Sequence, residues 1–255
     1  MPGQNRTQRN RTRVAGSPSK RPIASWSAGI LSWRVALIVI AGSLTYFNSV
    51  SNPFVLDDTG TIVDNEQIRQ LGDLPSLLLP ARETPVAGRP VANISFAINY
   101  AIGGLGVAGY HIVNIAVHLL CALLLFGLVR RALELPDRRA TPGERSTNLA
   151  FAAALLWVVH PLGSEPVDYL TQRTESLMAL FYLLTLYASV RALTSRRETG
   201  WEIAAVVSCA LGMGCKESMV TVPVVILLFD RIFVFSSFGE ALRKRRWLYV
   251  GLAAT

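Results

Sequence analysis

The chain has 255 residues, of which 51% are hydrophobic, and a formal net charge of +8. A mean hydropathy of +0.37 is too high for an ordinary soluble domain, and the apolar residues fall in blocks close to the about 20 residues that a membrane helix needs. We therefore predict an all-α, multi-pass membrane protein. The basic surplus would suit a nucleic-acid partner, but its placement along the chain favours a signal for membrane orientation instead.

The first segment, residues 1–29, is polar and basic, with six Lys or Arg residues and no acidic residue. This composition predicts a disordered cytoplasmic tail. A small-residue cleavage site is missing before the first apolar block, which favours an uncleaved membrane anchor over a removable signal peptide. Contact between the tail and anionic lipids stays open as a further role.

Seven apolar blocks predict about seven membrane helices in a domain that covers residues 30–255. We place them near 30–50, 110–130, 148–162, 176–193, 201–215, 218–235 and from 247 onward, and we expect the last to continue beyond Thr255. If the N-terminus is cytoplasmic, the segments between these helices that lie on the cytoplasmic side, together with the tail, hold 20 of the 25 Lys and Arg residues. This asymmetry predicts a cytoplasmic N-terminus and an extracytoplasmic first loop over 51–109.

The first outer loop carries helix signals of its own. Residues 66–71 could form a short helix, and Pro90 suits the first turn of a second helix that the pair Gly103-Gly104 ends. The residues that share one face of this second helix are Val91, Ile94, Ile98, Ala101 and Ile102. That face is expected either to lie in the membrane interface or to pack on the loop's own core.

The later outer loops follow short helices. The apolar run before His160-Pro161 has 12 residues, or about 18 Å of helix, against a hydrocarbon core of about 30 Å. Either these helices begin well inside the cytoplasm, or the polar loops are sunk below the outer surface. The second alternative creates a polar cavity in the outer leaflet, where irregular backbone is tolerated because it lines a cavity.

Ionisable residues collect on the predicted outer side, and no Lys, Arg, Asp or Glu falls in the middle of a predicted helix. Charges beside a bilayer are costly and tend to have a function. An aspartate pair follows the first helix directly. The full set is Asp57, Asp58, Arg89, His160, Glu165, Asp168, Arg173, Glu175, Lys216 and Glu217.

This set supplies both groups that transfer from a polyprenyl-phosphate sugar requires. A carboxylate can accept the proton of the acceptor hydroxyl, and we expect Asp57 to do so while Asp58 holds the acceptor or a loop. Arg89, Arg173 and Lys216 can stabilise charge on the phosphate. The paired carboxylates could recruit a divalent metal, but further ligands cannot be named, so no metal site is assigned.

Two other groups of residues have structural explanations. His111, Asn114 and His118 share one face of the second helix, where they can point into the cavity or, in the more frequent arrangement, form interhelical hydrogen bonds. The three cysteines lie in apolar blocks and are expected to be packing residues without a disulfide.

Several short segments, in order over residues 45–235, resemble the membrane domain of the transmembrane and tetratricopeptide-repeat O-mannosyltransferase family and its bacterial GT-C relatives. They are Phe54–Asp58, Gly88–Pro90, Asn99-Tyr100, Gly103–Leu105, Gly109–Asn114 with His118, His160-Pro161 with Glu165, Arg173–Glu175 and Cys215–Glu217. Two departures are a cysteine at position 215, where the family usually has serine, and the absence of the repeats from this chain.

The resemblance implies a GT-C fold and transfer of a sugar, such as mannose, from a polyprenyl-phosphate donor to a protein or glycan hydroxyl outside the cytoplasm. It places catalysis at Asp57 and Asp58, and we assign substrate binding to Arg89, His160, Glu165, Arg173, Glu175, Lys216 and Glu217. A bacterial inner membrane is favoured over the endoplasmic reticulum. A non-catalytic anchor for a C-terminal repeat domain is the alternative, and a transporter is disfavoured because no charged site is predicted near the midplane.

Overall fold

The computed structural model of the protein describes residues 28–135 and 143–255. Nearly all of the predicted tail over 1–29 lies outside these residues. Within them the chain forms helices and turns and no strand, as predicted. The helices are α1 Ala28–Tyr46, α2 Leu74–Leu78, α3 Pro90–Gly103, α4 Val107–Leu133, α5 Glu144–Val158, α6 Ser164–Asp168, α7 Arg173–Thr194, α8 Glu198–Met213, α9 Val222–Phe233, α10 Phe238–Lys244 and α11 Arg246–Ala253.

Each of the seven predicted apolar blocks contains one helix: α1, α4, α5, α7, α8, α9 or α11. Among residues 28–135 and 143–255, three helical stretches are long and apolar enough to cross a membrane, and two bent pairs raise this number to five if each pair is one span. The three are Trp33–Ser51, Val107–Leu133 and Leu170–Thr194. The division into seven spans stays a prediction.

Large apolar side chains on the outside of the bundle form the surface that faces lipid. They recur at helical spacing and are more than a third exposed, which a soluble protein of this size would not tolerate over so wide a surface. Among them are Leu37, Ile40 and Leu44 of α1, Ile203, Val207 and Leu211 of α8, and Val224, Leu228 and Ile232 of α9.

Helices α4 and α7 form the centre of the bundle. On one side, α1 and α5 pack against α4 through a core that includes Ile38, Ala122 and Ala154. On the other side, α8, α9 and α11 pack against α7 around Cys209, Ile226 and Leu248. We call the end of the bundle where α5 and α8 begin the inner end, and the end where α4 and α7 begin the outer end.

Glycines let the central helices approach closely, as is usual in membrane bundles. A Cβ atom on Gly127 of α4 would lie 2.9 Å from the Tyr187 ring of α7, and one on Gly42 of α1 would lie 2.5 Å from the Leu119 side chain of α4. A side chain at either position would therefore force the neighbouring Tyr187 or Leu119 side chain to move.

The first outer loop is a folded unit with a core of its own. Ile62, Ile68, Leu77 and Phe96 are fully buried in this core, which also reaches the first turn of α4 through Tyr110. Its secondary structure is a π-helical turn at Thr59–Val63, a 3-10 turn at Gln67–Arg69, and the helices α2 and α3. The predicted short helix over 66–71 is thus shortened to a single turn.

Helix α3 forms where Pro90 and Gly103-Gly104 predict it, and Gly104 has the positive φ of 57° that favours glycine. It packs on the loop's own core through Phe96 and Ala97, and contact of its exposed face with the membrane interface stays a prediction. The predicted apolar face is only partly right. Ile98 and Ile102 are 47% and 83% exposed, because two asparagines of α3 are buried for hydrogen bonding and rotate the helix.

An ion-pair network fixes the inner end. Arg245 donates from Nη1 to both carboxylate oxygens of Asp230 at 2.7 Å, and from Nη2 to the Ser189 carbonyl at 2.8 Å. The Tyr249 hydroxyl also donates to Asp230, at 2.6 Å. This network ties α9 and the start of α11 to α7, with both charged groups buried.

Candidate active site at the start of α7

A seven-residue segment, Tyr169–Glu175, leads into α7 and contacts four parts of the outer end. We call it the junction segment. Its alternate residues bind different partners: Tyr169 binds Asp57, Thr171 binds Asp58, Arg173 binds α3 and α4, and Glu175 binds Lys216. The segment therefore brings together partners that are up to 159 residues apart in the sequence, from Asp57 to Lys216.

Asp58 is buried and holds the loop in place. One carboxylate oxygen accepts from the Thr171 backbone N–H and hydroxyl, both at 2.8 Å. The other accepts from the Val55 N–H at 3.0 Å, and so closes a tight turn over residues 55–58. With both oxygens occupied and no exposed surface, Asp58 is a structural partner of the junction segment.

Asp57 lies in the same turn but is exposed. Leu56 has a φ of 48°, in the left-handed region that non-glycine residues rarely adopt, and this turn sends the two adjacent carboxylates in different directions. The Asp57 backbone N–H donates to the Tyr169 hydroxyl at 3.2 Å. Burial, and then hydrogen bonding with the Asp57 side chain, raises the pKa of Tyr169, so its phenol keeps its proton at neutral pH and can donate a hydrogen bond to Asp57.

Arg173 is completely buried among three helices. Its guanidinium donates to Asn114 Oδ1 at 2.7 Å, Asn99 Oδ1 at 2.6 Å, and the Tyr110 and Ser95 carbonyls. The cation also lies 4.4 Å from the centre of the Phe96 ring. Arg173 has no exposed surface. Its guanidinium therefore does not face a donor phosphate in this structure. It positions the junction segment instead.

Two ion pairs lie beside the junction segment. Lys216 is paired with Glu175, and Arg89 Nη2 is 4.0 Å from a Glu217 carboxylate oxygen. The start of α3 meets the end of α8 at this point, since the Val91 N–H donates to the Gly214 carbonyl at 3.0 Å. Four of the predicted site residues, Arg89, Glu175, Lys216 and Glu217, thus lie together in two ion pairs. We call them the charge cluster.

A cavity of about 440 Å³ opens next to this cluster, between α4, α5, α6 and α7. Glu175 and His160 both form part of its wall. Most of the remaining lining is apolar, which suits a lipid chain. The lining residues are His118, Cys121, Trp157, His160, Leu162, Gly163, Pro166, Glu175, Ser176, Met178 and Ala179.

The cavity lies below the outermost point of the bundle. His118 Nε2 is 3.1 Å from the Val158 carbonyl, and the Tyr46 ring contacts the His118 ring. The outer ends of α1 and α5 are therefore level with His118, roughly 15 Å along α4 from its first residue. This difference in height supports the expected sunken position of the outer polar loops.

The remaining predicted site residues lie on the segment that precedes the junction. His160 is exposed, and its Nδ1 accepts from the Leu162 N–H at 3.2 Å. Glu165 is exposed and accepts from Gln172 at 3.2 Å. His160 shares the cavity wall with Glu175. Glu165 does not line the cavity, but Gln172 ties it to the junction segment.

The polar stripe on α4 forms hydrogen bonds between elements. His111 Nε2 is 3.1 Å from the Asn52 carbonyl, and Asn114 both accepts from Arg173 and donates to Val167. All three residues of the stripe are buried. The interpretation as interhelical hydrogen bonding is confirmed, although His118 also lines the cavity. The three cysteines are buried and free, as predicted.

Sequence reasoning missed the residues that organise the site. Tyr169 and Thr171 orient the aspartate pair, and Asn99 anchors Arg173. The sequence does contain a pattern that could have identified Tyr169 and Thr171. Together with Arg173 and Glu175 they are polar residues at every second position, in a stretch without helix periodicity. No group of three or more His, Cys, Asp or Glu side chains within residues 28–135 and 143–255 is placed to hold a metal ion.

The chain is similar to protein mannosyltransferases. The family profile described as dolichyl-phosphate-mannose-protein mannosyltransferase matches residues 85–255. Protein O-mannosyl-transferase Tmtc1 of Drosophila melanogaster is 33% identical over 69% of this chain and 20% of its own length. Human protein O-mannosyl-transferase TMTC4 is 29% identical over 81% of this chain and 30% of its own length.

Mouse protein O-mannosyl-transferase TMTC2 is 30% identical over 76% of this chain and 23% of its own length. The chain therefore spans between about a fifth and three-tenths of the length of these curated relatives. No solved structure matches the chain. The relatives cited are animal proteins, and the predicted bacterial inner membrane stays a prediction.

Proposed function

Because the chain belongs to the dolichyl-phosphate-mannose-protein mannosyltransferase family, we propose that it carries the catalytic centre of a membrane enzyme that transfers mannose from a polyprenyl-phosphate donor to a protein hydroxyl. The observation that supports this proposal most directly is the asymmetry of the aspartate pair. Asp58 is buried and fully bonded, whereas Asp57 is exposed beside Tyr169.

In the proposed reaction, Asp57 accepts the proton of the acceptor hydroxyl as its oxygen bonds to the anomeric carbon of the sugar. The bond from that carbon to the phosphate oxygen breaks, and the lipid phosphate leaves with the bonding electrons. A phosphate is a weak base, so no acid has to protonate it. The carboxylate is needed because the hydroxyl must lose its proton as the new bond forms.

Lys216 and Arg89 are the cations proposed to stabilise the phosphate. Glu175, the partner of Lys216, is four residues after Thr171, the partner of Asp58, a rise of roughly 6–8 Å along the segment. The charge cluster and the aspartate turn are thus connected by one short, well-anchored segment. The adjoining cavity can hold part of the lipid chain, so the donor and the carboxylate would meet at the junction segment.

The predicted topology places this site on the extracytoplasmic side. It requires a cytoplasmic N-terminus and an outer loop over 51–109, as the distribution of Lys and Arg indicates. A cysteine introduced at Asp64 in a cysteine-free background tests this placement. We expect a membrane-impermeant maleimide to label it in intact cells.

The decisive experiment replaces Asp57 with asparagine in the natively expressed protein. Asn keeps the shape but cannot accept the proton, so mannose transfer to a Ser/Thr peptide should fall by about 10²–10⁴-fold. Binding of the donor should change little, because the carboxylate acts in the transition state. Thermal stability should also be preserved, since the Asp57 side chain is exposed.

Asp58→Asn is the matched control. It puts an amide where the carboxylate accepts three hydrogen bonds, so it should lower the free energy of unfolding by about 1–3 kcal/mol as well as activity. Near-normal transfer by Asp57→Asn would contradict the catalytic assignment. Donor binding without transfer in the unmodified protein would favour the alternative function, a non-catalytic membrane anchor.

A further inference from the structure

The wall of the cavity presents a carboxylate where an anionic ligand would need a cation. Glu175 lines the cavity, and Lys216 lies behind it as its ion-pair partner. The two side chains are 34% and 28% exposed, so neither is locked in the interior. An anion in the cavity would therefore meet Glu175 before it could reach Lys216.

We propose that Glu175 is a placeholder for the phosphate of the lipid donor: it neutralises Lys216 while the cavity is empty, and the phosphate displaces it on binding. This inference rests on the proposed function and adds to it the way in which the phosphate site is kept ready. The step is an exchange of ionic partners and forms no covalent bond.

The cost of a lone cation near the membrane makes such a placeholder necessary. A partly buried ammonium without a counter-charge is strongly disfavoured in a medium of low polarity. The carboxylate of Glu175 supplies that charge from the first turn of α7. A phosphate diester carries a single negative charge as well, so it can replace the carboxylate without leaving Lys216 unpaired.

The rest of the cluster allows the displaced carboxylate to move. The four charges of Arg89, Glu175, Lys216 and Glu217 sum to zero, and an added phosphate makes the cluster anionic unless a carboxylate turns outward. The Glu175 side chain has exposed surface through which it can do so. Glu217, at 78% exposed, is already hydrated and need not move.

Substitutions of Glu175 and Lys216 should change the Kd of the lipid in opposite directions if Glu175 is a placeholder. They should change it in the same direction if the ion pair only stabilises the structure. With the chain in phosphatidylcholine nanodiscs, binding of undecaprenyl phosphate-mannose, a phosphate diester, can be followed by tryptophan fluorescence, since Trp157 lines the cavity. Glu175→Gln removes the competing carboxylate, so the Kd should fall by about threefold to tenfold. Lys216→Gln removes the cation, so the Kd should rise by at least as much.

Two controls complete the experiment. Glu83→Gln removes an exposed carboxylate of the first outer loop and should leave the Kd unchanged. Inorganic phosphate should not produce the fluorescence change at concentrations where the lipid saturates it, because the apolar cavity contributes only to the lipid's affinity. The unfolding temperature of each variant shows whether it is folded.

The possible outcomes separate the placeholder from the phosphate site. If both Glu175→Gln and Lys216→Gln weaken binding in folded protein, the pair is a structural brace and the placeholder is refuted, while Lys216 keeps its place in the proposed function. If Lys216→Gln binds with unchanged Kd, both the placeholder and the phosphate site of the proposed function fail.

Discussion

Two buried arginines hold opposite ends of the bundle, and their partners differ in charge. At the outer end, Arg173 binds two asparagine oxygens and two backbone carbonyls, all uncharged. At the inner end, Arg245 binds both carboxylate oxygens of Asp230 and the backbone and hydroxyl of Ser189. Both side chains are almost fully buried, so burial alone does not decide the choice of partner.

The difference follows from what each end has to do. An ion pair cancels the field of its arginine, which suits the inner end because its network only ties helices together. Uncharged partners fix the geometry of Arg173 but leave its charge to act on the surrounding groups. Asp58 is close enough to interact with that charge. The outer end thus gains a fixed positive charge beneath a site proposed to handle anions.

The largest effect is expected from Arg173→Met. This change leaves the buried side-chain oxygens of Asn99 and Asn114 without their donor, at about 1–3 kcal/mol for each unsatisfied group. It also removes one hydrogen bond each from the Ser95 and Tyr110 carbonyls, which keep their helical donors. After partial relaxation we expect the free energy of unfolding to fall by about 4–6 kcal/mol. Thermal unfolding in detergent, followed by intrinsic fluorescence, measures the change.

Arg173→Lys is the control for charge. Lysine keeps the positive charge but cannot reproduce the planar set of donors that faces Asn99, Asn114 and the two carbonyls. We expect it to recover less than half of the lost stability. Near-complete recovery of the lost stability would show that the positive charge anchors the junction segment, and that the planar arrangement of N–H donors does not.

A slightly smaller effect is expected from Arg245→Met, which leaves Asp230 buried and unpaired and should cost about 3–5 kcal/mol. Here a second change should help. Asp230→Leu in the same chain removes the orphaned charge, and replacing a buried pair by apolar residues is often nearly neutral. The double variant should therefore regain most of the stability lost by Arg245→Met.

A double-mutant cycle then contrasts the two ends. At the inner end we expect a coupling energy of several kcal/mol between one arginine and one carboxylate. At the outer end, Asn99→Leu combined with Arg173→Met should restore only part of the lost stability, because the Asn114 oxygen remains unsatisfied and the other contacts of the guanidinium stay lost. A full rescue at the outer end would contradict the proposed difference.

The sequence was sufficient to predict one helix in each apolar block, because the blocks carry no Lys, Arg, Asp or Glu in their middle and are bounded by polar loops. The short helices α2, α6 and α10 lie outside these blocks and were not predicted. The sequence also predicted the ends of α3, since Pro90 and Gly103-Gly104 act locally. The buried face of α3 could not be predicted from apolar periodicity. Asn93 and Asn99 are buried because Leu77, Asn65 and Arg173 supply their hydrogen-bond partners, and those contacts depend on the tertiary fold.

The same limit explains the outcome for the predicted site. An arginine next to a polar loop has the same local sequence whether it faces a phosphate or a cluster of carbonyls, so Arg173 could not be separated from Lys216. Adjacent aspartates are likewise equivalent in sequence. Their separation into a buried and an exposed carboxylate follows from the backbone of Leu56 and from Thr171, which is 113 residues away from Asp58.

The smallest effect on stability is expected from Tyr169→Phe, and it tests whether the outer end positions Asp57. The change removes only the hydroxyl that contacts the Asp57 backbone and carboxylate, at a partly exposed site, so stability should change by less than about 1 kcal/mol. Mannose transfer should nevertheless fall by about fivefold to tenfold, because a misplaced base loses rate without loss of fold. The Km for the donor should stay constant, since Tyr169 is not a cavity residue.

Tyr182→Phe provides the control: its hydroxyl contacts Thr221, away from the aspartates, and its loss should leave transfer unchanged. Equal rates for the Tyr169 and Tyr182 variants would mean that Asp57 is held by its turn alone.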